Sequence, residues 1–494
     1  MTASPAKTFL SGPPQPLVLV RPQPPADSLE LYRQLVRPDR PSVLLESGNG
    51  TSRTARYSFM GTDPYLQLSG RAREYRIQTA EQVRTYSGSP FEALERILTN
   101  SAIPRPEGLP PFYGGAVGYL GYDLARSFES LPSWSIDDLH CPDLHMIFVD
   151  VVAAIDHHTG LLYLMFCPPL SRFESEPREK LYREGCDRLA ALEARLTSPA
   201  PLLASSSTLE HATFVPSQSR EAYRARVQRC QEYIAAGDIY QANLSHRFTL
   251  DVRDTASLSA SDGDGMELYR RLRRVNPSPF AGLVRFGDVS LVSCSPERLV
   301  QLTGTTASIR PIAGTRPRGV GQEQDQLLRM ELLASPKERA EHVMLVDLER
   351  NDLGKVCRYG SVTVDEFMTV EQYSHVSHLV SDVTGTLRSG TSPFDLVKAV
   401  FPGGTITGVP KLHCMEIIEE LEPVRRGLYT GALGYFSWSG DLDLNILIRT
   451  LVLTNGKGYL QVGAGIVADS NPDREYAETL AKAGAFFNIL GASR

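Results

Sequence analysis

The chain has 494 residues, 42% hydrophobic and 22% charged, with a net charge of −6. These are ordinary globular proportions that exclude a fibrous or disordered protein, and the length exceeds what one hydrophobic core usually supports, so two lobes are expected. Acidic and basic residues interleave, leaving no basic face for nucleic acid or an anionic membrane; no run approaches the ~18 apolar residues of a membrane span or opens the chain as a signal peptide would, so a cytoplasmic location is expected.

In chain order, short apolar runs at 42–45, 65–68 and 146–154 are punctuated by Gly and Pro, the pattern of an antiparallel sheet with few helices. A charge-laced helix is expected over 178–196. It is followed by SPAPLLASSSTLEHAT from Ser198, a Ser/Pro/Ala-rich stretch that reads as a linker between lobes. Beyond it, 221–236 reads as a helix stopped by Gly237, and 281–286 with 289–293 as a hairpin turning at Gly287–Asp288. Further helices are expected at 335–347, 412–421 and 473–490, the first and last opened by Ser-Pro and Asn-Pro. The seven cysteines are scattered, odd in number and without Cys-x-x-Cys spacing, which suits packing in a reducing compartment better than disulfides or zinc.

Several constellations could carry chemistry. Glu338 and Glu341 stand three apart on one expected helix, Glu475 and Glu478 three apart on another. Each pair projects from one helical face, and two such pairs could share a hard cation such as Mg²⁺. The alternative is a solvated face favoured by the helix dipole. FPGGTITGVPK, at 401–411, could hold an anion on backbone N–H groups or be a tight structural turn; VGAGIV, at 462–467, is a strand whose glycines allow a bulge or close ligand approach. In YSHVSHLV, His375 or His378 could face a cleft as a proton donor, or be a hydrogen-bonded core histidine. Arg449 falls inside the apolar run 445–452, where a buried guanidinium needs a carboxylate: a substrate's, or an internal Asp or Glu.

Taken together, PIAGTRPRG (311–319), ERAEHVMLVDLERNDLG (338–354), YSHVSHLVS (373–381), FPGGTITGVPK, NILIRT (445–450), GAGIVADS (463–470) and EYAETLAKA (475–483) resemble the chorismate-utilising enzymes. Weaker similarity extends forward through YGGAVGYLGYD to RYSFMG and LLES. The resemblance implies an α+β fold with large antiparallel β-sheets sandwiched by helices, as in anthranilate synthase component I. It divides the chain into an N-terminal lobe (1–197), a linker (198–212) and a chorismate-binding catalytic domain (213–494). It also implies roles. Glu341 and Glu478 match Mg²⁺ ligands, with Glu338 and Glu475 as their helix-mates. Glu297, in CSPER, matches the general acid that protonates the departing 4-hydroxyl, and His378 lies across the site near the same ring. Tyr435, Arg449, the backbone of Gly463, Ala464 and Gly465, and Lys482 match the groups that hold the two carboxylates of chorismate. Gly314, Thr315 and Thr405 match the floor under the ring.

Family members that add water carry Lys where this chain has Gln241, whereas those that add ammonia carry Gln; Met344 also matches the aminating pattern. No glutaminase nucleophile elbow surrounds any cysteine, so ammonia is expected from a separate glutamine amidotransferase subunit. Many members that aminate carbon 4, the aminodeoxychorismate synthases, carry a Lys where this chain has Ala313, and that Lys acts as a covalent nucleophile at carbon 2. Ala313 therefore favours anthranilate formation. FPGGTITG, Asn445 and the short N-terminus resemble a Gram-positive branch that lacks the Lys and aminates carbon 4, the product expected here. LLES and NPSPF resemble a tryptophan pocket, formed by Glu46, Ser47, Asn276, Pro277 and Ser278; its alternative is an inter-lobe packing seam. A non-catalytic tryptophan-binding subunit is disfavoured by the intact set Glu297, Glu341, Glu478, Arg449 and Lys482.

Overall fold

The computed structural model of the chain describes residues 5–47, 55–198, 212–251, 265–319, 321–372 and 376–491. Two antiparallel sheets of 12 strands each form its frame among these residues. Each sheet joins a block of strands from before the 198–212 segment to a block from after it. In the first sheet, Ser42–Glu46 pairs with Phe280–Arg285; in the second, Gly115–Leu120 pairs with Ala432–Ser437. One apolar cluster accordingly holds Leu44 and Phe148 together with Leu283 and Phe436. Most of the proposed linker, 199–211, lies outside the described residues. The seven cysteines are free, and all but Cys186 are buried, in keeping with a packing role. No helix among the described residues is long and apolar enough to cross a membrane.

The expected helices form where local signals place them. Ser335 caps Pro336–Gly354 by accepting from the Glu338 N–H, and Asn471 caps Pro472–Ile489 by accepting from the N–H groups of Asp473 and Arg474. The first runs seven residues past its expected end, because His342, Leu345, Leu348, Asp352 and Leu353 keep one face buried throughout. The hairpin at Gly287–Asp288 forms as read, from Phe280–Arg285 and Val289–Ser295.

Apolar runs read as single strands prove to be two. The run 146–154 is broken at Asp150: Leu144–Val149 belongs to the second sheet and Val151–Asp156 to the first. A bidentate pair from Arg188, at 2.6 and 2.8 Å, holds Asp150 at the break. The run 445–452 breaks likewise. Leu442–Ile446 pairs in the second sheet and Thr450–Thr454 in the first, so Arg449 is not inside a strand but in the crossing between them, with φ of 50°. A third crossing, between Val289–Ser295 in the first sheet and Arg298–Thr303 in the second, contains Glu297.

Candidate active site

Glu297 and Arg449 therefore stand at two corners where the chain changes sheets, and both face one cleft of about 680 Å³ lined entirely by residues between Gln241 and Lys482. The long helix contributes Glu338, Glu341 and Leu345, and the C-terminal helix Glu475, Glu478 and Lys482. Strands supply Gln241 and Asn243, Ala313, Gly314 and Arg316, His378, and Gly463 with Gly465; Thr405 and Tyr429 come from connections.

Burial sets the electrostatics. The Glu297 carboxyl is pushed up from 4.5 to about 7, chiefly by desolvation and only partly offset by its neighbours, Lys482 among them. An acid so placed holds its proton near neutral pH and can give it away. Burial lowers His378 to about 4, and its Nδ1 lies 3.2 Å from the Gly314 carbonyl oxygen, which can only accept. His378 is thus a neutral imidazole at neutral pH rather than a charged proton donor. His375 lies outside the described residues. Arg449 is half-buried, makes no ion pair among the described residues, and has its pKa lowered by desolvation. Of the two partners considered for it, no internal carboxylate meets it among the described residues.

The four glutamates converge on the cleft from two helices. Burial and the neighbouring Glu338 and Glu478 raise Glu341, and burial with Glu478 raises Glu475. Lys482 meets Glu478 at 2.8 Å and Arg316 meets Glu338 at 3.2 Å. No three acidic, His or Cys side chains among the described residues already stand at ligand spacing. The all-oxygen donors and their mutual repulsion suit a hard divalent cation, with further ligands from water or an anionic substrate.

Other expectations are redrawn. Tyr435 does not reach the cleft: its ring stacks on Phe112 at 4.7 Å and meets Phe59 edge-on, in the wall of a separate pocket. Tyr429 takes a place on the cleft instead. The Ala464 side chain points away, into an apolar cluster with Leu244 and Cys414, because alternation along the strand sends only Gly463 and Gly465 to the cleft. The backbone of Thr315 lies in the strand Ile312–Pro317; its side chain is outside the described residues. In the Gly-rich loop, a Cβ on Gly404 would stand 2.0 Å from the Leu348 side chain, so this glycine serves close packing on the long helix rather than an anion. Asn243, Arg316, Lys337 and Tyr429 went unnoticed in the sequence. Only Asn243 had a local signal, standing two residues after Gln241 on the same strand face.

The separate pocket is small, about 60 Å³, and is lined by Glu46, Ser47, Phe280, Tyr435 and Asn445; Asn276, Pro277 and Ser278 do not line it. Glu46 accepts from Tyr269 at 2.5 Å and from Ser28, and pairs with Arg273 at 3.2 Å, so its carboxylate is satisfied internally. Among the described residues the space suits a few waters.

The fold is shared with anthranilate synthase component I from Streptococcus pneumoniae, matched with a TM-score of 0.75 at 32% identity over 88% of this chain and 92% of that one. The model of the chorismate binding enzyme family matches residues 40–488, and the chain belongs to that family. Relatives divide between two activities. Aminodeoxychorismate synthase component 1 of Bacillus subtilis is 40% identical, covering 94% of this chain and 95% of that protein. Anthranilate synthase component 1 of Thermus thermophilus is 44% identical, covering 93% and 94%. The menaquinone-specific isochorismate synthase of Escherichia coli shares the fold, with a TM-score of 0.69 at 18% identity. The chain is thus a chorismate-utilising enzyme of the aminodeoxychorismate and anthranilate synthase type.

Proposed function

We propose that this chain aminates chorismate with ammonia delivered by a separate glutamine amidotransferase, that aminodeoxychorismate is the main product, and that residues 213–494 are the catalytic domain. The observation that carries the amination is the pairing, in one cleft, of a buried acid near neutrality with a half-buried arginine that meets no carboxylate among the described residues. Arg449 and Lys482 hold the substrate carboxylates, and Glu297 gives its proton to the 4-hydroxyl, which leaves as water while the new C–N bond forms; solvent then reprotonates Glu297. Glu338, Glu341, Glu475 and Glu478 would hold Mg²⁺, which would supply positive charge to the ring carboxylate. A non-catalytic tryptophan-binding role is disfavoured, since this acid and these cations line the cleft while the Glu46 carboxylate is taken up by Tyr269, Ser28 and Arg273.

Amination at carbon 4 is supported by the resemblance of FPGGTITG and Asn445 to that branch, and by the Bacillus subtilis relative. A second reading, anthranilate with loss of pyruvate, is favoured by Ala313: it lines the cleft where many aminodeoxychorismate synthases place a Lys. The purified chain, given chorismate, Mg²⁺ and ammonium, is expected to form a product that an added aminodeoxychorismate lyase converts to 4-aminobenzoate, scored by mass spectrometry. Anthranilate and pyruvate before any lyase is added would establish the second reading. With glutamine replacing ammonium, the chain alone is expected to make nothing, and product from that mixture would sink the need for a partner.

Glu478→Gln tests the cation site. It is expected to raise the Mg²⁺ concentration for half-maximal rate by about a hundredfold, because a neutral amide replaces one of the charged ligands. Wild-type turnover with an unchanged Mg²⁺ requirement would show that Glu478 is no ligand.

A further inference from the structure

Two buried amides on the cleft wall carry acceptors that the chemistry above leaves unused. Gln241 and Asn243 stand two apart on the strand Gln241–Asp251 and so project from one face, both lining the cleft. They are 4% and 9% exposed. Opposite them the neighbouring strand runs through Gly465 and Gly463. A Cβ on Gly465 would lie 2.6 Å from Gln241 Nε2, and one on Gly463 would lie 2.6 Å from Asn243 Oδ1. Those glycines therefore make room for the two amides. Yet Oε1 of Gln241 and Oδ1 of Asn243 are both buried and accept no hydrogen bond from any of the described residues. Buried carbonyl oxygens are seldom left so, because each gave up its water on folding.

We propose that these two oxygens seat the ammonia molecule that attacks chorismate, with Asn243 as the binding residue that complements Gln241. Ammonia has three N–H bonds and one lone pair. Donating one hydrogen to each oxygen fixes the molecule and turns the lone pair toward the ring, and the C–N bond forms as the bond to the departing oxygen breaks. A water in the same seat would spend both hydrogens on the oxygens. It would also gain no nucleophilicity, because an amide oxygen is no base at neutral pH and cannot generate hydroxide. The pair thus selects nitrogen over oxygen as nucleophile. This inference rests on the amination of chorismate proposed above.

The test compares the wild-type chain with Asn243→Ala and the milder Asn243→Ser, each assayed with chorismate, Mg²⁺ and varied ammonium at fixed pH. Chorismate affinity is measured separately, with Mg²⁺ but no ammonium, and reports folding of the cleft at the same time. The expected result is a rise in the KM for ammonium of about tenfold or more for Asn243→Ala, less for Asn243→Ser, with chorismate affinity unchanged. An unchanged ammonium KM in a variant that still binds chorismate overturns the proposal. So does an equal weakening of chorismate and ammonium, which would assign the amide to the larger substrate. A wild-type chain that does not consume chorismate with ammonium sinks the underlying amination reading instead.

Discussion

Replacing Glu297 by Gln is expected to lower kcat by about 10²–10⁴-fold and, at the same time, to stabilise the fold at neutral and alkaline pH. The carboxyl sits at a sheet crossing, fully buried, and its affinity for the proton is raised from 4.5 to about 7. A carboxyl whose folded value lies above its unfolded one favours the folded state while protonated. That contribution is complete below about pH 4.5 and is lost as pH rises through about 7, a loss worth about 3 kcal/mol. Gln is neutral at every pH and escapes the loss. The difference in melting temperature between variant and wild type should therefore widen between about pH 5 and pH 8, with the variant higher. Over the same range, at constant free ammonia, wild-type kcat should fall as Glu297 gives up its proton. A variant with wild-type kcat, or a wild-type profile that stays flat, would remove Glu297 from the acid role.

Arg449→Met should have the second largest effect. The residue is half-buried, has a left-handed backbone conformation, and finds no carboxylate among the described residues. Truncating one member of a buried ion pair with a ligand typically costs about 2–5 kcal/mol of binding, so chorismate affinity should drop by at least about thirtyfold. Without ligand the effect on stability should be opposite. Met fills a similar volume and removes a partly desolvated charge that has no carboxylate partner among the described residues, so the free variant should melt higher than wild type. Chorismate should then raise the melting temperature of the wild type and leave that of the variant unmoved. Equal chorismate affinity in the two proteins would show that Arg449 faces some other group.

Both predictions concern residues that the local sequence could name but not place. Glu297 is legible only through a motif, and Arg449 only as an arginine inside an apolar run that looks like one continuous strand. An apolar run looks the same whether it continues in one sheet or passes from one buried sheet to another, since both halves are packed on the core in either case. What breaks the run is set by the partner strands: the residues on either side of Arg449 pair with Arg298–Thr303 in one sheet and Val289–Ser295 in the other. Asp150 makes the same point, for its anchor Arg188 is on a helix that no local pattern links to it.

The sequence by itself determined the helices that carry the four glutamates, because Ser-Pro and Asn-Pro starts and three-residue spacing act within a turn or two of backbone. It also determined the hairpin at Gly287–Asp288, the packing role of the cysteines and, through ordered motifs, the family. Tertiary structure alone decided that Tyr429 and not Tyr435 meets the cleft, that Gly404 packs on Leu348, and that Gln241 and Asn243 lie over Gly465 and Gly463. It alone gave the Glu46 carboxylate its partners, Tyr269, Arg273 and Ser28. Each of these depends on which residues distant in the chain arrive at the same few ångströms, and the two sheets set that by pairing strands from both ends of the chain.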